Sequence, residues 1–131
     1  MLRMTIAIII TATLLIVGGC GSDGGGPRQL HAQDTGQAVE LRTGGQLEIT
    51  LDGNPTTGYT WEQTEGDGAV VKRDGEPAYT SERNVPGAGG TYVFRFTAVA
   101  PGQTTLTLIY YRPFERNAPP LKTFTVPITV R

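Results

Sequence analysis

The amino-acid sequence predicts an all-β domain, built as an antiparallel sandwich or barrel of seven or eight strands. The chain has 18 glycines and 9 prolines among its 131 residues, a composition that favours many turns and short strands. Past the N-terminus, no segment sustains the helical spacing of apolar residues. Short alternating apolar runs instead recur at fairly even spacing over residues 37–131, which is typical of antiparallel sheets.

Each strand is predicted from apolar residues that alternate with polar ones, because alternate side chains of a strand face the same side. The aromatic and branched residues of these runs are enough for one two-sheet core. Pro127 lies inside the last run and lacks a backbone N–H, so we expect an edge strand or a bulge there. The predicted strands are residues 39–41, 47–51, 59–64, 69–72, 77–81, 91–99, 104–111 and 121–130.

Composition and charge argue against several classes of function. The net charge is −1 and no basic patch is visible, so no nucleic-acid partner is expected. The chain has one cysteine, Cys20, and one histidine, His31, which leaves no His/Cys metal site and no internal disulfide. Since His31 lies in a glycine-rich polar segment, it is a poor member of a catalytic pair. We therefore predict a monomeric domain that is not an enzyme and needs no metal or cofactor.

The N-terminus has the features of a signal peptide of the lipoprotein type over residues 1–19. Its apolar run follows Arg3 and is shorter than the roughly 18 residues that span a bilayer. The run ends in the letters VGGC, closing at Cys20, and this resembles the lipobox of bacterial lipoproteins. We expect an acylated Cys20, a flexible tether over residues 20–36, and a location at the outer membrane or cell surface. The alternative is a plain secretory signal and a periplasmic or secreted protein.

One stretch between two alternating runs combines several residues that restrict the backbone. Pro55 fixes its φ at about −65°, and the side chain of Asn54 can bond the backbone two residues on. Gly58 can adopt a positive φ, which lets the chain turn sharply into the next strand. We expect a rigid, narrow and uncharged wedge, with an ordinary inter-strand turn as the alternative. The stretch is Asn54-Pro55-Thr56-Thr57-Gly58-Tyr59.

Two further loops have residues that suit contact with a partner. The first is Gly87-Ala88-Gly89-Gly90, whose lack of side-chain bulk lets another backbone approach and pair with it. The second is Arg112-Pro113-Phe114, which offers a planar cation and a rigid aromatic ring. The alternatives are a flexible connector for the first loop, and a Phe114 packed back on the domain beside a solvated Arg112 for the second.

Together, the three segments resemble the inhibitory loops of the chagasin family of cysteine protease inhibitors, in the family's order. The first motif matches closely, whereas Phe114 stands where the family usually has tryptophan. The resemblance implies an immunoglobulin-like β-sandwich over residues 37–131 and reversible, competitive inhibition of papain-like proteases. It also implies that Thr56 lies nearest the catalytic cysteine, with the glycine loop extended on the non-primed side and the Phe114 loop on the primed side.

A second function remains open at the level of sequence. A structural or adaptor lipoprotein of the cell envelope could bind a non-protease partner through the same three loops. An enzyme is the least favoured class, because the chain lacks a plausible pair of base and nucleophile.

Overall fold

The computed structural model describes residues 26–115 and 117–131, and this part of the chain is almost entirely β structure. Two 3₁₀ turns, Ala32–Asp34 and Pro55–Thr57, are its only helical segments, so no described helix could cross a membrane. The proposed signal peptide and Cys20 lie outside the described residues. The strands are β1 (Arg28–His31), β2 (Val39–Leu41), β3 (Gln46–Gly53), β4 (Thr60–Glu65), β5 (Val71–Arg73), β6 (Ala78–Ser81), β7 (Gly90–Ala98), β8 (Gly102–Tyr111) and β9 (Lys122–Val130).

The strands form two sheets that pack as an immunoglobulin-like sandwich, which confirms the predicted fold class. One sheet has the order β1-β3-β7, with β5 and β6 both pairing with the far side of β7. The other has the order β2-β9-β8-β4. The pairings β1–β3 and β2–β9 are parallel, so the sheets are mixed and not purely antiparallel as predicted. Both parallel strands belong to the N-terminal segment, which joins one sheet and then crosses to the other.

The core fills the space between the sheets and follows from the alternation in sequence. Along β7, and along β9 from Phe124 onward, every second residue is buried, as expected for strands with one face inward and one outward. Three phenylalanines anchor this core at no more than 1% exposure: Phe94, Phe96 and Phe124. Leu106 and Leu108 of β8 pack there with no exposed surface. The core is sufficient to hold a small sandwich without a disulfide.

The predicted tether is wrong over its second half. Arg28–His31 form β1, which pairs in parallel with β3, and the side chain of Leu30 is only 2% exposed. Gly36 also donates its N–H to the carbonyl oxygen of Thr125 at 2.7 Å. A four-residue strand with one apolar side chain gives too weak an alternation to predict it from sequence. The folded domain therefore begins at about residue 28 and not at residue 37.

The prediction that Pro127 marks an edge strand or a bulge is also wrong, because β9 lies between β2 and β8 and its register with β8 continues without a shift through the pair Thr105 and Pro127. Thr125 turns its N–H away from β8 and donates it to the Thr35 hydroxyl at 3.0 Å. Two residues on, the nitrogen of Pro127 faces the same side. The β2–β9 ladder starts only at the pair Val39 and Ile128, so the missing donor of Pro127 interrupts no ladder bond.

The sandwich has two distinct ends, which we call the terminal pole and the loop pole. At the terminal pole, β1 enters beside Leu47, and the carbonyl oxygen of Arg131 accepts from the N–H of Thr43 at 2.9 Å. β3 runs from there to the loop pole, and β8 does the same. The loop pole has three connections: loop 1 (residues 54–59), loop 2 (residues 82–89) and loop 3 (residues 112–121). Together we call these loops the rim.

Candidate functional site

Loop 1 is held in one conformation by its own hydrogen bonds. Asn54 caps the 3₁₀ turn, because its Oδ1 accepts from the Thr56 N–H at 3.1 Å and from the Thr56 hydroxyl at 2.5 Å. The Thr57 hydroxyl donates to the Asn54 carbonyl oxygen at 2.6 Å. Gly58 ends the turn at φ 85°, in the left-handed region that favours glycine. These contacts form the predicted wedge, and Pro55, Thr56 and Thr57 at its tip are exposed.

An aromatic stack beneath loop 1 supports the wedge. The hydroxyl of Tyr110 on β8 accepts from the backbone N–H of Asn54 at 2.8 Å. The Tyr110 ring stacks between Tyr59 and Trp61, with centroids 5.1 Å from each. Trp61 in turn donates from Nε1 to the carbonyl oxygen of Asp52 at 3.0 Å. Loop 1 therefore rests on the buried end of the second sheet.

Loop 2 is a hairpin connection with a tight turn at its tip. The backbone N–H of Ala88 donates to the carbonyl oxygen of Val85 at 3.2 Å. Between them lie Pro86 and Gly87, and because Gly87 has φ 81° the turn is of type II. The backbone N–H of Glu82 donates to the carbonyl oxygen of Gly89 at 3.1 Å, and this bond closes the base of the hairpin. The extended glycine segment implied by the family resemblance is therefore wrong at Gly87, which lies inside a turn.

Glycine is required where loop 2 enters β7. Gly90 is buried, and a Cβ atom there would lie 2.1 Å from the carbonyl oxygen of Thr80 on β6. Gly90 also pairs with Gly53, the last residue of β3. A Cβ on Gly89 would lie 3.5 Å from the Gly53 carbonyl oxygen and 3.9 Å from Cβ of Asn54. Loop 2 therefore packs directly beside loop 1.

Arg112 connects loop 3 to loop 1. Its Nε donates to the carbonyl oxygen of Thr57 at 3.1 Å, and its guanidinium lies 4.4 Å from the centroid of the Tyr59 ring. The other side of the guanidinium binds Glu115, with Nη1 and Oε1 2.9 Å apart. This hydrogen bond to Glu115 raises the pKa of Arg112 above its already high value, so the side chain stays charged wherever the protein is folded. Arg112 is thus a structural link and not a solvated side chain.

Phe114 is presented to solvent on top of loop 1. It is 69% exposed, the largest exposed fraction among the large apolar side chains of the described residues. Its ring lies against Gly58, where a Cβ atom would approach Phe114 Cε1 to 2.8 Å. The Arg112 guanidinium is 5.9 Å from the ring centroid. Phe114 therefore touches the domain with one face and leaves most of its surface free.

Exposed apolar side chains concentrate at the loop pole. Within the described ranges, Val85, Phe114 and Leu121 are each at least 59% exposed, and all three belong to the rim. Leu121 is fixed there by its N–H, which donates to the carbonyl oxygen of Tyr110 at 2.8 Å. The other exposed large apolar side chains of the described residues are less exposed: Val99 at the terminal pole, at 41%, and Tyr79 on β6, at 37%. Apolar groups gathered on one side of a small domain are typical of a protein-binding surface.

The structure therefore brings together all three segments selected from the sequence. Loop 1 contacts loop 2 through Asn54 and loop 3 through Gly58 and Thr57. Sequence reasoning missed two supporting residues, Tyr110 and Glu115. Tyr110 lies within the predicted strand 104–111, but the partner of its hydroxyl lies 56 residues away in sequence. Pro113 lies between Arg112 and Phe114 and is exposed.

Comparison with known protein families shows the family to which this chain belongs. The family model described as "Chagasin family peptidase inhibitor I42" matches residues 40–128. The chain belongs to the chagasin family. This confirms the prediction of a peptidase inhibitor, and a family of inhibitors agrees with the prediction that the chain is not an enzyme. The match covers every strand from β3 to β8 and all three loops of the rim.

Individual relatives of this chagasin-family chain come from protozoa. Amoebiasin-1 of Entamoeba histolytica is 32% identical over 107 residues, which cover 78% of this chain and 98% of the relative. Chagasin of Trypanosoma cruzi is 32% identical over 98 residues, covering 70% and 86%. The crystal structure of the cysteine protease inhibitor EhICP2 from Entamoeba histolytica superposes with a TM-score of 0.70. That likeness, at 21% identity over 79% of this chain and 94% of the other, concerns the fold.

Proposed function

We propose that this protein is a reversible, competitive inhibitor of papain-like cysteine proteases, and that its rim closes the active-site cleft. The observation that carries the proposal is the assembly of three matching segments into one surface at the loop pole. Loop 1 is joined to both of its neighbours, by one hydrogen bond to loop 2 and one from loop 3, and its tip is exposed. Membership in a family of peptidase inhibitors supports the same conclusion.

The conformation of loop 1 suits a segment that blocks a protease cleft better than a segment that the protease cleaves. A substrate presents an extended backbone to a protease, whereas Pro55–Thr57 form a 3₁₀ turn closed by hydrogen bonds to Asn54. Its exposed tip carries no charge, and Thr56 stands on it with its hydroxyl bound to Asn54. A preformed loop loses little conformational entropy on binding, which favours affinity without cleavage.

Loops 2 and 3 supply the flanking contacts in this proposal. Ala88 and Gly89, which are only partly buried, leave room for a protease backbone on the non-primed side. Phe114 offers a free aromatic face on the primed side, held by Gly58 and Arg112. Because phenylalanine buries less surface than the tryptophan usual in the family, we expect weaker anchoring on that side.

Titration of the soluble domain, residues 26–131, against papain with a peptide substrate tests the proposal. Competitive inhibition at or below micromolar concentration is the expected result. Thr56→Trp should weaken inhibition about tenfold or more, because the larger tip no longer fits a narrow cleft. The matched control is Thr105→Trp, the same change at an exposed position on the outer face of β8.

Two results would count against inhibition. One is a wild-type domain that leaves papain fully active at micromolar concentration, and the other is an equal effect of the two tryptophan substitutions. Inert behaviour toward papain, together with capture of a purified non-protease envelope protein by the rim, would favour the adaptor alternative.

We further propose that the domain is tethered to a membrane through an acyl chain on Cys20. The support is the lipobox-like sequence that closes at Cys20, after an apolar run of signal-peptide type. Cys20→Ala should abolish incorporation of a radiolabelled fatty acid in cells that process lipoproteins. Unchanged labelling of this variant would remove the anchor proposal, and the protein would then be periplasmic or secreted.

A further inference from the structure

The side chain of Asn54 joins two loops of the rim at once. Its Oδ1 accepts both hydrogen bonds from Thr56, and its Nδ2 donates to the carbonyl oxygen of Gly87 at 3.0 Å. The acceptor side of the amide therefore shapes loop 1, and the donor side reaches across to the tip of loop 2. The two functions are on different atoms, so a substitution can separate them.

The bond to Gly87 is the polar link between the tip of loop 2 and the rest of the rim. Among the described residues, the other hydrogen bonds of residues 82–89 stay within the hairpin: Glu82 with Gly89, Ala88 with Val85, and Arg83 with Ser81. Gly89 at the base of the hairpin lies close to Gly53 and Asn54, whereas the tip at Gly87 is joined to loop 1 by the hydrogen bond from Asn54. An eight-residue connection with so few links would otherwise sample several positions.

We propose that Asn54 is a positioning residue that couples loop 1 to loop 2, so that both loops meet a protease as one preformed surface. This inference rests on the proposed function for its effect on inhibition, but the coupling itself is a property of the free domain. When the link is broken, loop 2 occupies its binding position for only a fraction of the time. The apparent association constant is then the intrinsic one multiplied by that fraction, and the loss arises mainly from slower productive association.

Asn54→Asp isolates the coupling from the cap. Aspartate is as good an N-cap as asparagine, so the bonds from Thr56 are kept. The carboxylate cannot donate to the Gly87 carbonyl oxygen and repels it instead. We expect about fivefold to thirtyfold weaker inhibition of papain, a loss typical of one hydrogen bond with added repulsion. We also expect displaced NMR amide signals for Ala88 and Gly89, with small changes at Thr57.

Two further variants complete the design. Asn84→Asp adds the same charge to loop 2, beside loop 1, without removing any of the hydrogen bonds described between the rim loops, so it measures the effect of charge alone. Asn54→Ala removes both functions of the amide. In Asn54→Asp, protonation of the introduced carboxyl below about pH 4 restores a donor toward Gly87, so the loop 2 signals should return toward wild type. Asn54→Ala should show no such recovery.

The outcomes separate this inference from the proposed function. If the wild-type domain fails to inhibit papain, the proposed function is wrong, yet the NMR comparison still decides whether Asn54 couples the loops. If Asn54→Asp leaves the loop 2 signals in place, the coupling is wrong even when papain is inhibited. An equal loss of inhibition in Asn54→Asp and Asn84→Asp would likewise overturn it, because charge alone would then explain the effect.

Discussion

At Gly58, backbone conformation and side-chain packing place separate demands on one residue. Its φ of 85° disfavours any residue with a Cβ, and the Phe114 ring occupies the space where that Cβ would lie. Gly44, in the turn at the terminal pole, has a similar φ of 89° with nothing within 4 Å of its hypothetical Cβ. The pair of glycines therefore allows the two demands to be measured separately.

We predict that Gly58→Ala and Gly44→Ala each lower the free energy of unfolding by about 1 kcal/mol, the cost of a left-handed alanine. Only Gly58→Ala should also displace Phe114 and weaken inhibition of papain several-fold. Urea unfolding and inhibition assays on both variants provide the test. If the two variants inhibit equally well, the contact between Phe114 and Gly58 does not matter for binding.

Glu115 shows how the structure changes the choice of controls at the residue scale. From the sequence it is an exposed acidic residue next to the third motif, and its substitution by alanine would serve as a neutral comparison. In the structure its carboxylate holds the Arg112 guanidinium at 2.9 Å, and Arg112 in turn holds loop 1. Glu115→Ala is therefore a variant of the rim, which is why Thr105→Trp is the better control.

At the scale of elements, β1 extends the domain beyond the segment that the sequence predicts. It covers the edge of β3 and buries Leu30, while its neighbours Arg28, Gln29 and His31 stay exposed. One buried leucine on an edge strand is enough to matter for a small domain, because native proteins are typically stable by only about 5–15 kcal/mol.

We predict that Leu30→Ala destabilises the domain by about 2–4 kcal/mol, since it leaves a cavity under β1. A domain that begins at residue 37 should lose at least as much. Gln29→Ala, in the same strand but exposed, should change the free energy of unfolding by less than about 0.5 kcal/mol. Thermal or urea unfolding measures all three. Equal stability of the domains that begin at residues 26 and 37 would show that β1 contributes nothing.

At the scale of the whole molecule, the rim and the chain's point of entry lie at opposite poles. β1 starts beside Leu47 at the beginning of β3, and loop 1 follows the end of β3 at Gly53. A membrane anchor that precedes β1 would therefore attach to the terminal pole, and the rim would face away from the membrane.

If Cys20 is acylated, the lipidated protein in vesicles and the soluble Cys20→Ala form should inhibit papain with the same constant. The matched comparison attaches the soluble domain to a solid support through Gly26→Cys or through Asn84→Cys. The first attachment leaves the rim free and should retain papain binding, whereas the second lies in loop 2 and should block it. Equal papain binding by the two immobilised forms would contradict the conclusion that the rim and the start of β1 lie at opposite poles.

Eight of the nine strands could be predicted from sequence, because alternation of apolar residues is a local signal of a strand with one face on the core. The weakest of these signals was that of β6, whose four residues are all exposed. The wedge was predictable for the same reason: Pro55, Gly58 and the amide of Asn54 restrict their own backbone. The pairing of β1 was not, since a parallel partner for four residues depends on a neighbouring edge that is free. The position of Pro127 inside an inner strand could not be predicted either, because it depends on the residue at which β2 begins to pair with β9.

Sequence by itself determined that this chain forms a β-sandwich and carries three segments that resemble the inhibitory loops of its family. Only the tertiary structure decided that these segments form one rim and which atoms connect them. Asn54 and Gly87 are 33 residues apart, and Thr57 and Arg112 are 55 apart. The physical reason is that such hydrogen bonds need their partners within about 3 Å, a distance that strand pairing sets and local propensity does not.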